Sequence, residues 1–315
     1  MAYPLVSVII PTYNRSLLVG RAVENVLEQT YKNTEIIVVD DGSTDDTQST
    51  LKRFGNRIRV IAQANGGPAA ARNRGTEIAQ GEIIAFQDSD DLWMPTKLER
   101  QVALLDRAGP SVPCCLCNAQ MYFSGKAPTT SFDLAPIRPT VDEGIWSNVA
   151  EVLVTTFILF NQCAAIRADV LRRLGGYDER LKLMEDYDLA LRLALEGNAW
   201  AFIRDALVVW RQGAPGSLWQ RAKNDEVGMR ECAVKCLEVF NEKVEATEQL
   251  ARLKKISRQE LERRRREVTI ARMGELDIVG ASVSSWALEK VEKYRRVIHR
   301  MTRRYPAMAV RILQT

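Results

Sequence analysis

The chain predicts an α/β fold with a mostly parallel central sheet flanked by helices, and three observations carry that expectation. Short runs of strand length, most of them apolar and rich in Val and Ile, recur at residues 6–10, 35–39, 59–62 and 83–86. Single helical segments separate them with connections of a few residues, the pattern that right-handed crossovers convert into parallel strands. Clusters of Pro, Gly, Asp and Ser fall between the runs, where strands and helices must stop.

Residues 6–10 end at Pro11, which lacks a backbone donor and so marks a strand end. Ser16 is expected to cap a helix through Gln29, with Leu18, Ala22 and Val26 at helical spacing. The second strand closes on Asp40-Asp41-Gly42-Ser43, and Ser43 with the acidic Asp46 predicts a helix start running to about Phe54. After the short third strand, Pro68 sits at a first helical turn and opens a helix to Ala79. Gly81 ends the next connection, the fourth strand follows, and Pro95 opens another helix.

At 315 residues the chain can hold a full catalytic domain with an attachment. Its 46% apolar and 27% charged content is ordinary for a globular protein. The longest nearly apolar run, residues 152–160, is far short of the roughly 20 residues of a spanning helix. The first residues lack a charged stretch and a small-residue cleavage site, so no signal peptide is expected. Six cysteines show neither a disulfide framework nor paired zinc spacing, and the one histidine is His299. Buried reduced thiols in a cytoplasmic protein are the expectation. A net charge of +4 gives no argument for nucleic acid.

The most informative stretch is EIIAFQDSDD at residues 82–91, an apolar strand running into Asp88, Asp90 and Asp91. An extended backbone sets Asp88 and Asp90 on one face. Carboxylates this close raise one another's pKa unless a cation sits between them, and Mg²⁺ or Mn²⁺ with a phosphate-bearing ligand relieves the repulsion. A solvated acidic loop is the alternative for this segment alone. Ligands of parallel α/β sheets bind at the carboxyl ends of the strands, and two more strand ends are chemically pointed: PTYN at 11–14 and DDGS at 40–43. Tyr13 can stack on a nucleobase, Asp41 can accept from a base or ribose donor, and the third strand end can hold metal and pyrophosphate. Neither a G-x-G-x-x-G turn after the first strand nor a P-loop is present, which counts against dinucleotide and P-loop sites.

SVIIPTYNR, IIVVDDGSTDDT, NGGPAAARNRG, GEIIAFQDSDD and LGGYDERLKLMEDYDLALRLALEG follow in this order. Over roughly residues 4–215 the chain thereby resembles the family 2 glycosyltransferases of the GT-A fold. The resemblance implies transfer of a sugar from a nucleotide diphosphate donor, usually UDP-linked, with inversion at the anomeric carbon and with Mg²⁺ or Mn²⁺. It matches Pro11, Tyr13 and Asp41 to nucleoside-binding positions. Asp88 and Asp90 match the DxD motif, Asp90 ligating metal directly and Asp88 contacting the ribose or the metal shell, with Ser89 between them on the donor side. Arg72 matches a segment bordering the donor. Glu185-Asp186 matches the general-base position, Asp186 being the expected base.

The residues themselves also bear on that pair. Gly175-Gly176-Tyr177 is turn chemistry, and Leu189, Ala190, Leu193 and Ala194 then recur at helical spacing. The two acids therefore start a helix, where the macrodipole alone favours negative charge. An inverting displacement also needs a carboxylate to take the acceptor's proton. Many relatives carry a histidine two residues beyond the arginine that follows the last strand; here Arg211 and the Pro215-Gly216-Ser217 turn are kept and the histidine is missing. Gln212, water or nothing must replace it. The Q-x-x-R-W signature of processive synthases is absent, so a single transfer is expected.

The expected division is a catalytic domain over 1–217, with a nucleotide-binding half at 1–110 and an acceptor-binding half at 111–217, and a basic helical region over 218–315. Residues 124–144, with three prolines, read as a long loop. Ser257 with Glu260 reads as a capping box opening a helix through Arg263–Arg266. Ala287, Val291, Tyr294, Ile298, Met301 and Tyr305 form an apolar stripe among Lys and Arg. Such helices can dock on the catalytic domain, self-associate, or lie peripherally at the inner face of a membrane. The function expected is transfer of one sugar to a saccharide or lipid-linked acceptor. A catalytically silent nucleotide-sugar-binding subunit and a nucleotidyltransferase are the alternatives.

Overall fold

The computed structural model describes residues 3–123, 127–135, 137–197, 199–211, 225–247 and 250–279. The apolar runs become one half of a ten-stranded sheet. Strand β1 (Val6–Thr12) lies between β2 (Thr34–Asp40) and β4 (Ile83–Phe86), parallel to both, and β3 (Arg59–Ala62) adds a parallel edge beyond β2. Helices α1 (Ser16–Leu27), α2 (Thr47–Lys52) and α3 (Pro68–Ile78) make the crossovers. Burial follows composition: Ile9, Ile10, Ile37 and Ile84 are fully enclosed, while β3, the edge, is largely exposed. Each enclosed side chain contributes roughly 1.5–3 kcal/mol over leaving it in water.

The second half extends the sheet. A short strand β9 (Ala164–Arg167) runs antiparallel between β4 and β6 (Cys114–Tyr122). Strand β10 (Ala199–Arg211) pairs parallel to β6, and β5 (Leu92–Trp93) and β8 (Glu143–Ser147) pair antiparallel to β10. With β7 (Thr129–Thr130) on β6, the strands β1, β2, β3, β4, β6 and β10 run one way and the rest the other. Helices α4 (Lys97–Ala108), α6 (Val149–Thr155), α7 (Ala168–Arg173) and α8 (Glu185–Glu196) cover this half. The mixed α/β sheet with flanking helices is the expected class. All six cysteines are free thiols, and all but Cys232 are buried.

Four local expectations are corrected. Strand β1 continues through Pro11 to Thr12. The Ile9 carbonyl accepts from Gln87, so Ile9 and Pro11 face β4, and the ladder with β4 has ended at Ile9–Phe86 before Pro11 is reached. Pro11's missing donor therefore leaves no gap. Ser16 and Ser43 are not caps: α1 begins at Ser16 itself, whose N–H donates to Asp45, and α2 begins at Thr47. Residues 124–144 are not one long loop, since β7, the short helix α5 (Ser131–Leu134) and the start of β8 lie there. Asn118 pins α5 by accepting from the Phe132 N–H and the Ser131 hydroxyl.

Beyond β10, α9 (Glu226–Glu245) packs on α8, and Leu237, Phe240 and Val244 join the core. Helix α10 (Ala251–Val279) follows. Ser257 is a buried residue inside α10, not its cap, and Glu260 pairs with Arg263 and Arg264 of the same helix. The chain forms two compact units, Met1–Arg264 and Arg265–Thr315; the described part of the second is the rest of α10. The apolar stripe from Ala287 to Tyr305 lies outside the described residues. No described helix is long and apolar enough to cross a membrane.

One glycine fixes how closely the α3–β4 connection meets β1. The Gly81 N–H donates to Ser7 Oγ at 2.8 Å, and a Cβ at Gly81 would stand 2.6 Å from the Ser7 nitrogen and 2.7 Å from the Leu5 oxygen. Backbone atoms cannot yield as a side chain can. Gly81→Ala is expected to destabilise the protein by about 1–3 kcal/mol, read as a lower urea midpoint at unchanged slope.

Candidate active site

The site grows from three strand ends that the parallel sheet brings side by side. Pro11 is half-buried one residue before the end of β1, and Tyr13 just beyond that end is 42% exposed, its ring free of an aromatic partner among the described residues. Asn14, at φ 50°, donates its N–H to Ser43 Oγ at 2.8 Å and accepts from the Thr44 N–H at 2.8 Å. The PTYN and DDGST segments are thus stitched together. Asp41 is buried, and its carboxylate accepts from Gln63 Nε2 at 2.8 Å and from the N–H groups of Gly66 and Gly67 at 2.9 and 2.8 Å. It anchors the glycine turn, with capacity for one further donor. That anchoring was not foreseen from the sequence.

Beyond β4 the chain turns instead of staying extended: the Asp91 N–H donates to the Asp88 carbonyl. Asp88 and Asp90 still converge. Burial first, then the charge of Asp88, raise the Asp90 carboxyl above its ordinary pKa, while Arg15 draws it back. Arg15, the residue at the start of α1, reaches Asp90 Oδ2 at 3.0 Å. Asp91 turns inward and accepts from Gln162 Nε2 at 2.6 Å, and Ser89 is buried between the acids.

Arg72 on α3 ties this strand end to the second half of the protein. Its side chain is 3% exposed, with Nη2 at 2.8 Å from Asp88 Oδ1 and Nη1 at 2.9 Å from Glu185 Oε1. Burial alone would lower its pKa; Asp88, Tyr177 and Glu185 more than reverse that, so the guanidinium stays charged. Its plane lies over the Tyr177 ring, 5.4 Å from the centroid, and Tyr177 meets Phe86 of β4 edge-on at 5.2 Å.

Glu185 and Asp186 do begin α8, after Met184 at φ 66°. Asp186 accepts the Tyr187 N–H at 2.8 Å and keeps part of its surface accessible. It is nonetheless ringed by protein, so loss of water, and then the neighbouring Glu185 charge, push its pKa up to about 7; Arg72 pulls the other way. Asn73, next to Arg72, exchanges hydrogen bonds with the backbone of Tyr177 at 2.8 and 2.9 Å. Arg192 of α8 pairs with Asp188 and donates to the carbonyls of Leu174 and Gly176. These contacts lock α8 to α3. Cys236 of α9 adds a thiol donor to the Met184 carbonyl at 3.7 Å.

The structure therefore brings Arg72, Asp88, Asp90, Glu185 and Asp186 into one linked cluster, with Tyr13 and Asp41 at the neighbouring strand ends. Arg211's side chain, Gln212 and the Pro215-Gly216-Ser217 turn lie outside what is described. Among the described residues no group of three or more His, Cys, Asp or Glu side chains is set to hold a metal by itself. Two hard carboxylates, one of them with its charge disfavoured by burial, nonetheless fit Mg²⁺ or Mn²⁺, which complete their shells from substrate phosphate and water.

The family described as "Glycosyl transferase family 2" matches residues 7–174. The chain belongs to that family. An uncharacterized glycosyltransferase of Rickettsia typhi is 32% identical over 189 residues, 59% of this chain and 57% of that protein. The match thus spans little more than half the relative's length. Among solved structures, S. aureus TarS 1–349 in complex with UDP-GlcNAc superposes with a TM-score of 0.65 at 22% identity, over 81% of this chain and 70% of that one. The mannosyltransferase PcManGT from Pyrobaculum calidifontis, in complex with GDP-Man and Mn²⁺, gives 0.58 at 22% identity, over 94% and 81%. At these identities the two structures establish the fold, which is that of GT-A glycosyltransferases.

Removing Arg72 leaves two carboxylates facing each other without their shared cation. Arg72→Met is expected to lower the unfolding free energy by about 3–5 kcal/mol, and Arg72→Lys to recover only part of it, because one ammonium cannot fork between two acids. Urea denaturation of the three proteins checks this; equal stabilities would contradict it.

Proposed function

We infer that the protein is an inverting glycosyltransferase that moves a single sugar from a nucleotide diphosphate donor, a UDP-sugar in the first instance, to a hydroxyl of a saccharide or lipid-linked acceptor. The observation that carries this reading is Asp186. A carboxylate with a pKa of about 7, at a helix start and linked through Glu185 and Arg72 to a pair of metal-type carboxylates, is matched to general-base work near neutral pH. The family membership and the UDP-GlcNAc and GDP-Man complexes of the structural relatives support the class of donor.

Tyr13 offers an exposed ring on which the base can stack, with Pro11 beside it, and Asp41 keeps an acceptor site for a base or ribose donor. Asp88 and Ser89 border the ribose and diphosphate, and Arg72 holds Asp88 in place there. Asp90, with Asp88, would hold Mg²⁺ or Mn²⁺. When bound, the ion supplies positive charge to the departing diphosphate. Asp186 orients the acceptor hydroxyl and takes its proton, and Glu185 fixes the helix start through its pair with Arg72. Holding two substrates in line supplies on the order of 7–11 kcal/mol of the rate advantage when the geometry is good.

The test is release of nucleoside diphosphate from a panel of UDP- and GDP-sugars with Mn²⁺ and acceptor extracts. Wild type is expected to release it, faster as pH rises through about 7, because only the ionised Asp186 can accept a proton. Asp186→Asn is expected to be slower by about 10²–10⁴-fold. An Asp186→Asn protein as active as wild type, no release with any donor, or pyrophosphate as the product would each overturn the reading.

A further inference from the structure

Arg15 is a cation that the reaction just described does not use. It precedes the first residue of α1, and its backbone is fixed on both sides: its N–H donates to Thr47 Oγ1 at 3.2 Å, and its carbonyl accepts from the N–H groups of Leu18 and Val19. From there Nη1 reaches Asp90 Oδ2 at 3.0 Å, with both side chains largely buried, 15% and 20% exposed. The pairing answers a specific need. Asp90 is largely buried, and its neighbour Asp88 is already shared with Arg72. Arg15 is the one cation hydrogen-bonded to Asp90 among the described residues.

We propose that Arg15 is a displaceable counter-ion that occupies the Asp90 carboxylate in the free protein and must yield it before a divalent cation can bind there. The inference rests on the reading of Asp90 as a metal ligand. A bare Mg²⁺ or Mn²⁺ has to expel a guanidinium and bind beside two arginines, a poor exchange with only two carboxylates to offer. A diphosphate changes the balance, because it brings further oxygen ligands for the ion and a new anionic partner for Arg15. Metal and donor therefore bind best as a unit, and without donor the protein holds metal only weakly.

The experiment measures Mn²⁺ binding to the protein without nucleotide, by the loss of the free-ion electron paramagnetic resonance signal. It compares wild type, Arg15→Gln, Asp90→Asn and the double variant, each checked for folding by circular dichroism and thermal melting. Arg15→Gln removes the charge while keeping a polar side chain, and is expected to tighten Mn²⁺ binding at least fivefold over wild type. In the Asp90→Asn background the same change is expected to do nothing. An Arg15→Gln protein that binds Mn²⁺ no more tightly than wild type overturns the role of Arg15, while a loss of binding in Asp90→Asn would still uphold the metal site. If the gain persists in the double variant, the ion is not at Asp90, and the metal-site reading falls together with the inference.

Discussion

The buried guanidinium of Arg72 is the constraint on which the rest of the site depends. It stands on α3, in the parallel half of the sheet, and holds Asp88 after β4 with one nitrogen and Glu185 at the start of α8 with another. An arginine so enclosed stays only where carboxylates compensate the lost water, and carboxylates so close stay ionised only where a cation lies between them. Each group makes the others tolerable. Because Glu185 adjoins Asp186, the same bridge ties the position of Asp186 to the end of β4. Asn73 and Arg192 secure the arrangement by fastening the turn before α8 to α3 and to α8 itself.

Two carboxyl groups in the site are raised above their ordinary range, and for related reasons. Asp90 is raised by burial and by Asp88, and Arg15 offsets part of that. Asp186 is raised by burial and by Glu185, and Arg72 offsets part of that. The protein thus carries one arginine near each stressed carboxyl, placed to moderate its pKa without abolishing the shift. In the proposed reaction the two acids would serve opposite ligands: a cation and its phosphates at Asp90, a proton from a hydroxyl at Asp186.

Much of this was legible in the sequence. Runs of Val and Ile bounded by Gly, Pro and Asp sufficed for the enclosed parallel strands β1, β2 and β4, because such strands need little besides length, apolarity and branching, and the exposed edge β3 was marked by its place between two helices. The five motif segments sufficed for the family. The errors were local and share a cause. Pro11 was read as a strand end, but whether a proline harms a ladder depends on where the neighbouring strand stops. Ser16 and Ser43 were read as caps, but Asp45, from a different loop, accepts the Ser16 N–H. Ser257 was read as a cap, but it lies mid-helix under neighbouring packing. Arg15 and the two-sided role of Arg72 were beyond reach for the same reason: their partners lie 75, 16 and 113 residues away, and no local pattern signals them.

The central claim is that this framework holds Asp186 ready to accept a proton near neutral pH. The most direct measurement is the side-chain carboxyl ¹³C shift of Asp186 between pH 4 and 9, assigned by comparison with Asp186→Asn. The account predicts a transition centred near 7. A midpoint at the ordinary aspartate value of about 4 would contradict it.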